Sequence, residues 1–119
     1  MTMMQEERAT LAPAAALFRG LADPARLAIV RQLASGEARV VDLVRRLGLA
    51  QSTVSAHLAC LRDCGLVEYR AVGRQSFYSL TRPELMDLLT SAETLLAATG
   101  QAVALCPAYG TSTAMRATR

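Results

Sequence analysis

Apolar side chains recur at helical spacing through the first half of the chain. Leu11, Ala14, Ala15, Phe18 and Leu21 follow the i, i+3/i+4, i+7 rhythm that lines one face of a helix, with Gly20 just inside its end. Asp23-Pro24 then opens a second helix, because an Asp side chain accepts an orphan amide and Pro loses nothing at the first helical position. That helix runs to Leu33, and Ser35-Gly36 stops it. Val40, Leu43, Val44 and Leu47 predict a third, short helix closed by Gly48. Ser52 is placed to cap a fourth, with Val54, Leu58 and Leu61 as its buried stripe and Gly65 as its end. Helices of about 8 and 13 residues joined by a tight glycine-containing turn predict a helix-turn-helix.

After Gly65 the period changes. Leu66–Ala71 and Gln75–Leu80 carry Val, Tyr and Phe around Val72-Gly73-Arg74, the signature of a β-hairpin. Pro83 restarts a helix with Leu85, Leu88, Leu89, Ala92, Leu95 and Leu96 on one side, ending by Gly100. Residues 101–119 lose periodicity and gain Thr, Ser, Pro and Gly, which predicts a flexible C-terminal tail. The expected fold is mainly α with minor α+β character, a winged helix-turn-helix in the order α-α-α-α-β-β-α. It occupies residues 1–100, followed by the tail at 101–119.

Size and composition narrow the function. A chain of 119 residues makes one small core, so dimerisation would bury surface that it cannot bury alone. With 4% aromatic residues and no Trp, base stacking is not expected as the main mode of nucleic-acid binding. The net charge is +3, and all 13 basic residues are Arg, which suits contacts to phosphate and guanine but equally follows from genome base composition. No apolar run approaches the roughly 18 residues of a membrane span, and the N-terminus lacks a charged-then-apolar leader. A soluble, cytoplasmic protein without a membrane partner is expected.

In a helix-turn-helix the N-terminal end of the second helix meets the base edges of the major groove. Here that end presents Gln51, Ser52, Thr53, Ser55, Ala56 and His57, short polar groups and one Gln able to pair bidentately with adenine. Arg74 stands at the hairpin tip between Gly73 and Gln75, suited to a phosphate or minor-groove contact. Singly, these features read as an ordinary helix start and a solvated turn; their order and spacing favour DNA. His57 reads as a base-facing or interhelical group rather than a metal ligand.

Four segments carry a family resemblance: Leu-Ala-Asp-Pro-Ala-Arg-Leu at 21–27, Ser-Thr-Val-Ser-Ala-His-Leu at 52–58, Leu-Arg-Asp-Cys-Gly-Leu-Val at 61–67 and Gly-Arg-Gln-Ser-Phe-Tyr-Ser-Leu at 73–80. Together they resemble the ArsR/SmtB family of metal-responsive repressors over residues 11–100. The resemblance implies a homodimer that binds palindromic double-stranded operator DNA and leaves it when metal binds. It also implies that the first and last core helices, here 11–21 and 85–96, form the dimer interface.

Sensing sites differ within that family. A site near Arg39–Leu43 would need Cys, and one on the last helix would need His beside Asp87 and Glu93; neither is present. What remains is Cys60 and Cys64, four apart and hence on one helix face with β-carbons about 5–6 Å apart, plus Cys106. The set is similar to the CmtR-type cadmium and lead sensors of the family. Carried over residue by residue, the resemblance makes Cys60, Cys64 and Cys106 the metal ligands, with Cys106 coming from the same subunit or its partner. Three thiolates favour a soft divalent ion such as cadmium or lead over zinc.

Other roles for the thiols stay open. The cysteines could be small buried hydrophobes, or the sensor of a redox- or persulfide-responsive repressor. A thiol oxidoreductase fits poorly, since C-x-x-x-C at a helix C-terminus lacks the dipole that activates C-x-x-C at an N-terminus, so no enzyme activity is expected. Near the negative end of its helix, Cys64 is expected to keep its proton until metal displaces it, an effect that nearby Arg62 would partly offset.

Overall fold

The computed structural model describes residues 2–107, with side chains from Met4 onward. Five helices and three strands follow one another as α1 (Thr2–Leu21), α2 (Pro24–Ala34), β1 (Ala38–Arg39), α3 (Val40–Leu47), α4 (Gln51–Asp63), β2 (Val67–Val72), β3 (Gln75–Leu80) and α5 (Glu84–Ala98). Local chemistry explains most boundaries. Asp23 Oδ2 accepts the Arg26 amide at 3.0 Å, with Pro24 at the first helical position of α2. Gly48 closes α3 at φ 68°, a left-handed conformation that a side chain would resist.

Ile29, Val30 and Leu33 of α2, Leu43 of α3, Val54, Leu58 and Leu61 of α4, and Leu85 and Leu89 of α5 form one buried cluster. The helix-turn-helix thus packs its inner face against α2 within this cluster, and the opposite face of α4 is left to solvent. Helix α1 joins this core only near its end, through Leu21 and half-buried Leu17. Met4, Leu11 and Phe18 stay exposed on it, as does Leu95 on α5. Among the described residues, no helix is long and apolar enough to cross a membrane.

The strands form one antiparallel sheet in the order β1-β3-β2. β2 and β3 are the expected wing, with Val67 opposite Leu80 and Val72 opposite Gln75. Strand β1 departs from the expected α-α-α-α-β-β-α order: its two residues pair with Tyr78 and Phe77 but are too short for any alternation to register. The first helix is also longer than its apolar stripe, running through Pro13. Residues 108–119 of the expected tail lie outside the described residues. Its first part is not free, because Arg31 of α2 donates to the Ala104 carbonyl at 2.9 Å and Glu93 of α5 accepts the amides of Leu105 and Cys106.

Candidate functional site

Burial of Val54, Leu58 and Leu61 turns the opposite face of α4 outward, leaving Gln51, Ser52, Thr53, Ser55 and Ala56 exposed. Ser52 does not cap the helix. The N-cap is Ala50, without a side-chain bond, so α4 starts earlier than its Ser and the Ser52 hydroxyl lies within the first turn. An uncapped start leaves the first amides unpaired and the local potential positive, which favours an anionic neighbour. Arg74 and Gln75 are exposed at the wing tip, where Gly73 takes φ 62°. The start of α4 and the wing share one open hollow of about 270 Å³, lined by Gln51, Arg74 and Gln75 with Arg39, Val40 and Tyr78. Four expected base- or phosphate-facing positions (Gln51, Ser52, Thr53 and Ser55) are therefore outward, and two more, Arg74 and Gln75, sit across the hollow.

His57 differs from its neighbours. It is half-buried, its Nδ1 lies 3.3 Å from Arg26 Nη1, and its Nε2 lies 3.8 Å from Asp23 Oδ2. Arginine only donates, so Nδ1 accepts. Of its two expected roles, the interhelical one is what this geometry provides. Arg26 is the residue that sequence reading missed: Nε donates to Gly20 O at 2.7 Å and Nη2 to Arg19 O at 3.1 Å. One guanidinium thus binds the end of α1 to the middle of α4. The only local signal was its place three residues after the capping Asp23.

Cys60 and Cys64 lie half-buried at the other end of α4, facing α1. A groove of about 530 Å³ runs between the helices, lined by both cysteines with Ala16, Arg19, Gly20 and Arg26. The Cys64 thiol points at the Ala16 carbonyl, 3.8 Å away. A β-carbon on Gly20 would stand 2.7 Å from Cys64 Sγ, so α1 approaches this sulfur closely only because position 20 has no side chain. Burial pushes the Cys64 thiol above its ordinary pKa, and the neighbouring Cys60 and Asp63 push it further; Arg26 opposes them. The expected protonated Cys64 follows, although burial rather than the helix end dominates. The opposing cation is Arg26, because Arg62 lies over the Tyr69 ring at 4.6 Å.

Cys106 is elsewhere. Its sulfur lies 3.4 Å from Thr90 Oγ1 on α5, and its amide donates to Glu93 Oε2 at 2.9 Å. Among the described residues no three Cys, His, Asp or Glu groups converge to hold a metal ion. One subunit therefore offers a two-thiol site at Cys60 and Cys64, fit for a thiophilic ion only if further ligands come from outside that pair.

Residues 23–69 match the family model described as "Bacterial regulatory protein, arsR family". The chain is 39% identical over 92 residues to a probable mercury resistance operon repressor of Streptomyces lividans, covering 77% of this chain and 74% of that one. It is 45% identical over 75 residues to the HTH-type transcriptional regulator CmtR of Mycobacterium tuberculosis, covering 63% of this chain and 64% of that one. The solution structure of a homodimeric winged helix-turn-helix DNA-binding domain from Mycobacterium bovis superimposes with a TM-score of 0.70 at 30% identity, covering 76% of this chain and 84% of that one.

Proposed function

The chain belongs to the arsR family of bacterial regulatory proteins and is a transcriptional regulator rather than an enzyme, and from that premise we propose that it is a homodimeric, metal-released repressor of a palindromic operator. The observation that carries this reading is that α4 bears exposed polar groups at one end and a half-buried thiol pair at the other. Gln51, Ser52, Thr53 and Ser55 read base edges, while Arg74 and Gln75 contact the backbone beside them. Residues 1–100 form the DNA-binding and dimerisation domain, and the protein works in the cytoplasm, where thiols stay reduced.

Cys60 and Cys64 bind the effector as thiolates, with Cys106 of the same subunit or of its partner as the third ligand. A soft ion of the cadmium or lead type supplies strong sulfur bonding with few ligands, and its capture releases thiol protons. A disulfide is the poorer use of this pair. Cysteines four apart on a helix hold β-carbons about 5–6 Å apart, whereas a disulfide needs about 3.5–4.5 Å, so oxidation would unwind the last turn.

The protein's own residues carry the signal. Cys64 rests against Ala16 and Gly20 of α1, and Arg26 joins the end of α1 to His57. An ion held by both sulfurs would act on the contacts that Cys64 makes with Ala16 and Gly20, and so on the seating of α4 against α1. Operator affinity with and without cadmium, lead or mercury is the test. A coupling of about 1–3 kcal/mol is expected, and operator must weaken metal binding by the same factor. Equal operator affinity at saturating metal overturns the reading and leaves thiol oxidation or persulfidation as the signal.

A further inference from the structure

Just beyond α5 the chain doubles back and is fastened. Glu93 Oε2 accepts the amides of two consecutive residues, Leu105 at 2.7 Å and Cys106 at 2.9 Å. Arg31 of α2 donates to Ala104 O at 2.9 Å, and Leu105 and Val103 line a hollow of about 200 Å³ with Leu27 and Ala28 of the same helix. Leu105 and Cys106 are also half-buried against the core. The Cys106 sulfur is thereby held at Thr90 Oγ1, 3.4 Å away, rather than among the thiols of α4.

We propose that Glu93 is a positioning residue that latches Cys106 against α5, so that this thiol is withheld until the strap at 103–106 lets go. A carboxylate taking two adjacent amides fixes both the direction of the backbone and the side from which the next side chain leaves. Charge-assisted bonds of this kind are about twice as strong as neutral ones, and no side chain other than Glu93 accepts these two amides. A bond made by the Cys106 sulfur, whether to an ion or to a reagent, competes with this half-buried seat at Thr90. As a third metal ligand it is then a gated ligand. Only that consequence rests on the function proposed above; the latch does not.

The test uses the full-length chain with Cys60 and Cys64 replaced by Ser, leaving Cys106 as the single thiol. Glu93→Ala is expected to raise its rate of reaction with iodoacetamide about tenfold or more, through loss of two bonds to a charged acceptor. Glu93→Gln keeps an oxygen for both amides and should stay within about threefold of the parent. Equal acceleration by Ala and Gln would mean that the lost negative charge, not the latch, sets the reactivity, and would overturn the proposal. So would an unchanged rate in Glu93→Ala. Cys60 and Cys64, probed in a Cys106→Ser chain, should react at the same rate with or without Glu93; faster reaction there would mean general loosening and also overturn it. Should Glu93→Ala fail to fold, Arg31→Ala removes the second fastening and is expected to accelerate Cys106 several-fold, an unchanged rate again counting against the latch.

With all cysteines present, cadmium separates the two proposals. A latch that withholds a ligand lowers apparent affinity by the fraction of open chains, so Glu93→Ala should bind cadmium more tightly by the factor seen in alkylation. Faster alkylation with unchanged cadmium affinity would remove Cys106 from the metal site while leaving the latch standing.

Discussion

The two ends of α4 solve opposite problems with thirteen residues. At the start, Ala50 gives no side-chain cap and the next three side chains are exposed, so groups and amides alike await a partner. At the finish several groups are engaged. The Cys64 amide bonds to Cys60 O, the Leu66 amide to Leu61 O, Arg62 covers Tyr69, and Cys64 Sγ fills the space left by Gly20. An unfinished end can bind and a finished end can transmit. A rigid three-turn helix needs both, since a change at the engaged end is useful only if the open end has nothing else holding it.

The sharpest way to break this contrast is at the engaged end. Cys60→Ser or Cys64→Ser should abolish metal-dependent release, a loss of the whole coupling of about 1–3 kcal/mol, while metal-free operator affinity changes little. Operator titrations by fluorescence anisotropy, with and without cadmium, check it. At the open end, Gln51→Ala should cost about 1–3 kcal/mol at particular base pairs and leave metal binding alone, whereas Arg74→Ala should weaken all sequences alike and lower the salt slope by about one. If the two variants behave identically on operator and random DNA, reading end and wing do not divide the work.

A smaller effect is expected from Gly20→Ala. The added methyl collides with Cys64 Sγ, which costs about 1–3 kcal/mol, but better helix propensity returns up to about 1. Denaturant midpoints should show a modest net loss that Cys64→Ala relieves; an additive double variant would deny the contact.

The smallest effects are in pH. Cys64 holds its proton more tightly folded than unfolded, so its contribution to stability is complete below the unfolded thiol value of about 8.5 and is lost as pH rises through the higher folded value. Asp42 has the opposite sign. The Arg39 guanidinium and amide hold its carboxyl far below the usual range, and its contribution is present above about pH 3.9 and lost on further acidification. Cys64→Ser should remove the alkaline limb alone. Metal affinity should rise with pH through the neutral range, as fewer protons compete for the thiolates.

Much of this fold was legible because its boundaries are set by neighbours in the chain. Asp23-Pro24 caps α2 and Gly48 closes α3 by chemistry confined to one turn. Ser52 misled because a capping residue need not be used as one, and β1 was invisible because two residues have no period. The site was readable only as a set of positions. Spacing placed Cys60 and Cys64 on one face, but the partners that define each group come from far away: Asp23 and Arg26 for His57, Gly20 for Cys64, Glu93 for Cys106. No local pattern encodes such pairings.

The two-residue strand β1 also governs the order of assembly. Its partners Tyr78 and Phe77 lie on the far side of the whole helix-turn-helix, so the pairing of Ala38 with Tyr78 closes a loop of about 40 residues. The β2–β3 hairpin closes across Gly73 with almost no loop and can zip within microseconds. The wing therefore precedes the fastening that ties it to the chain before α3, and the long loop has to be collected before two ladder residues can reward it. Loop-closure entropy thus places β1 last among the three strands in the order of assembly, although Ala38, once paired, is buried in the core.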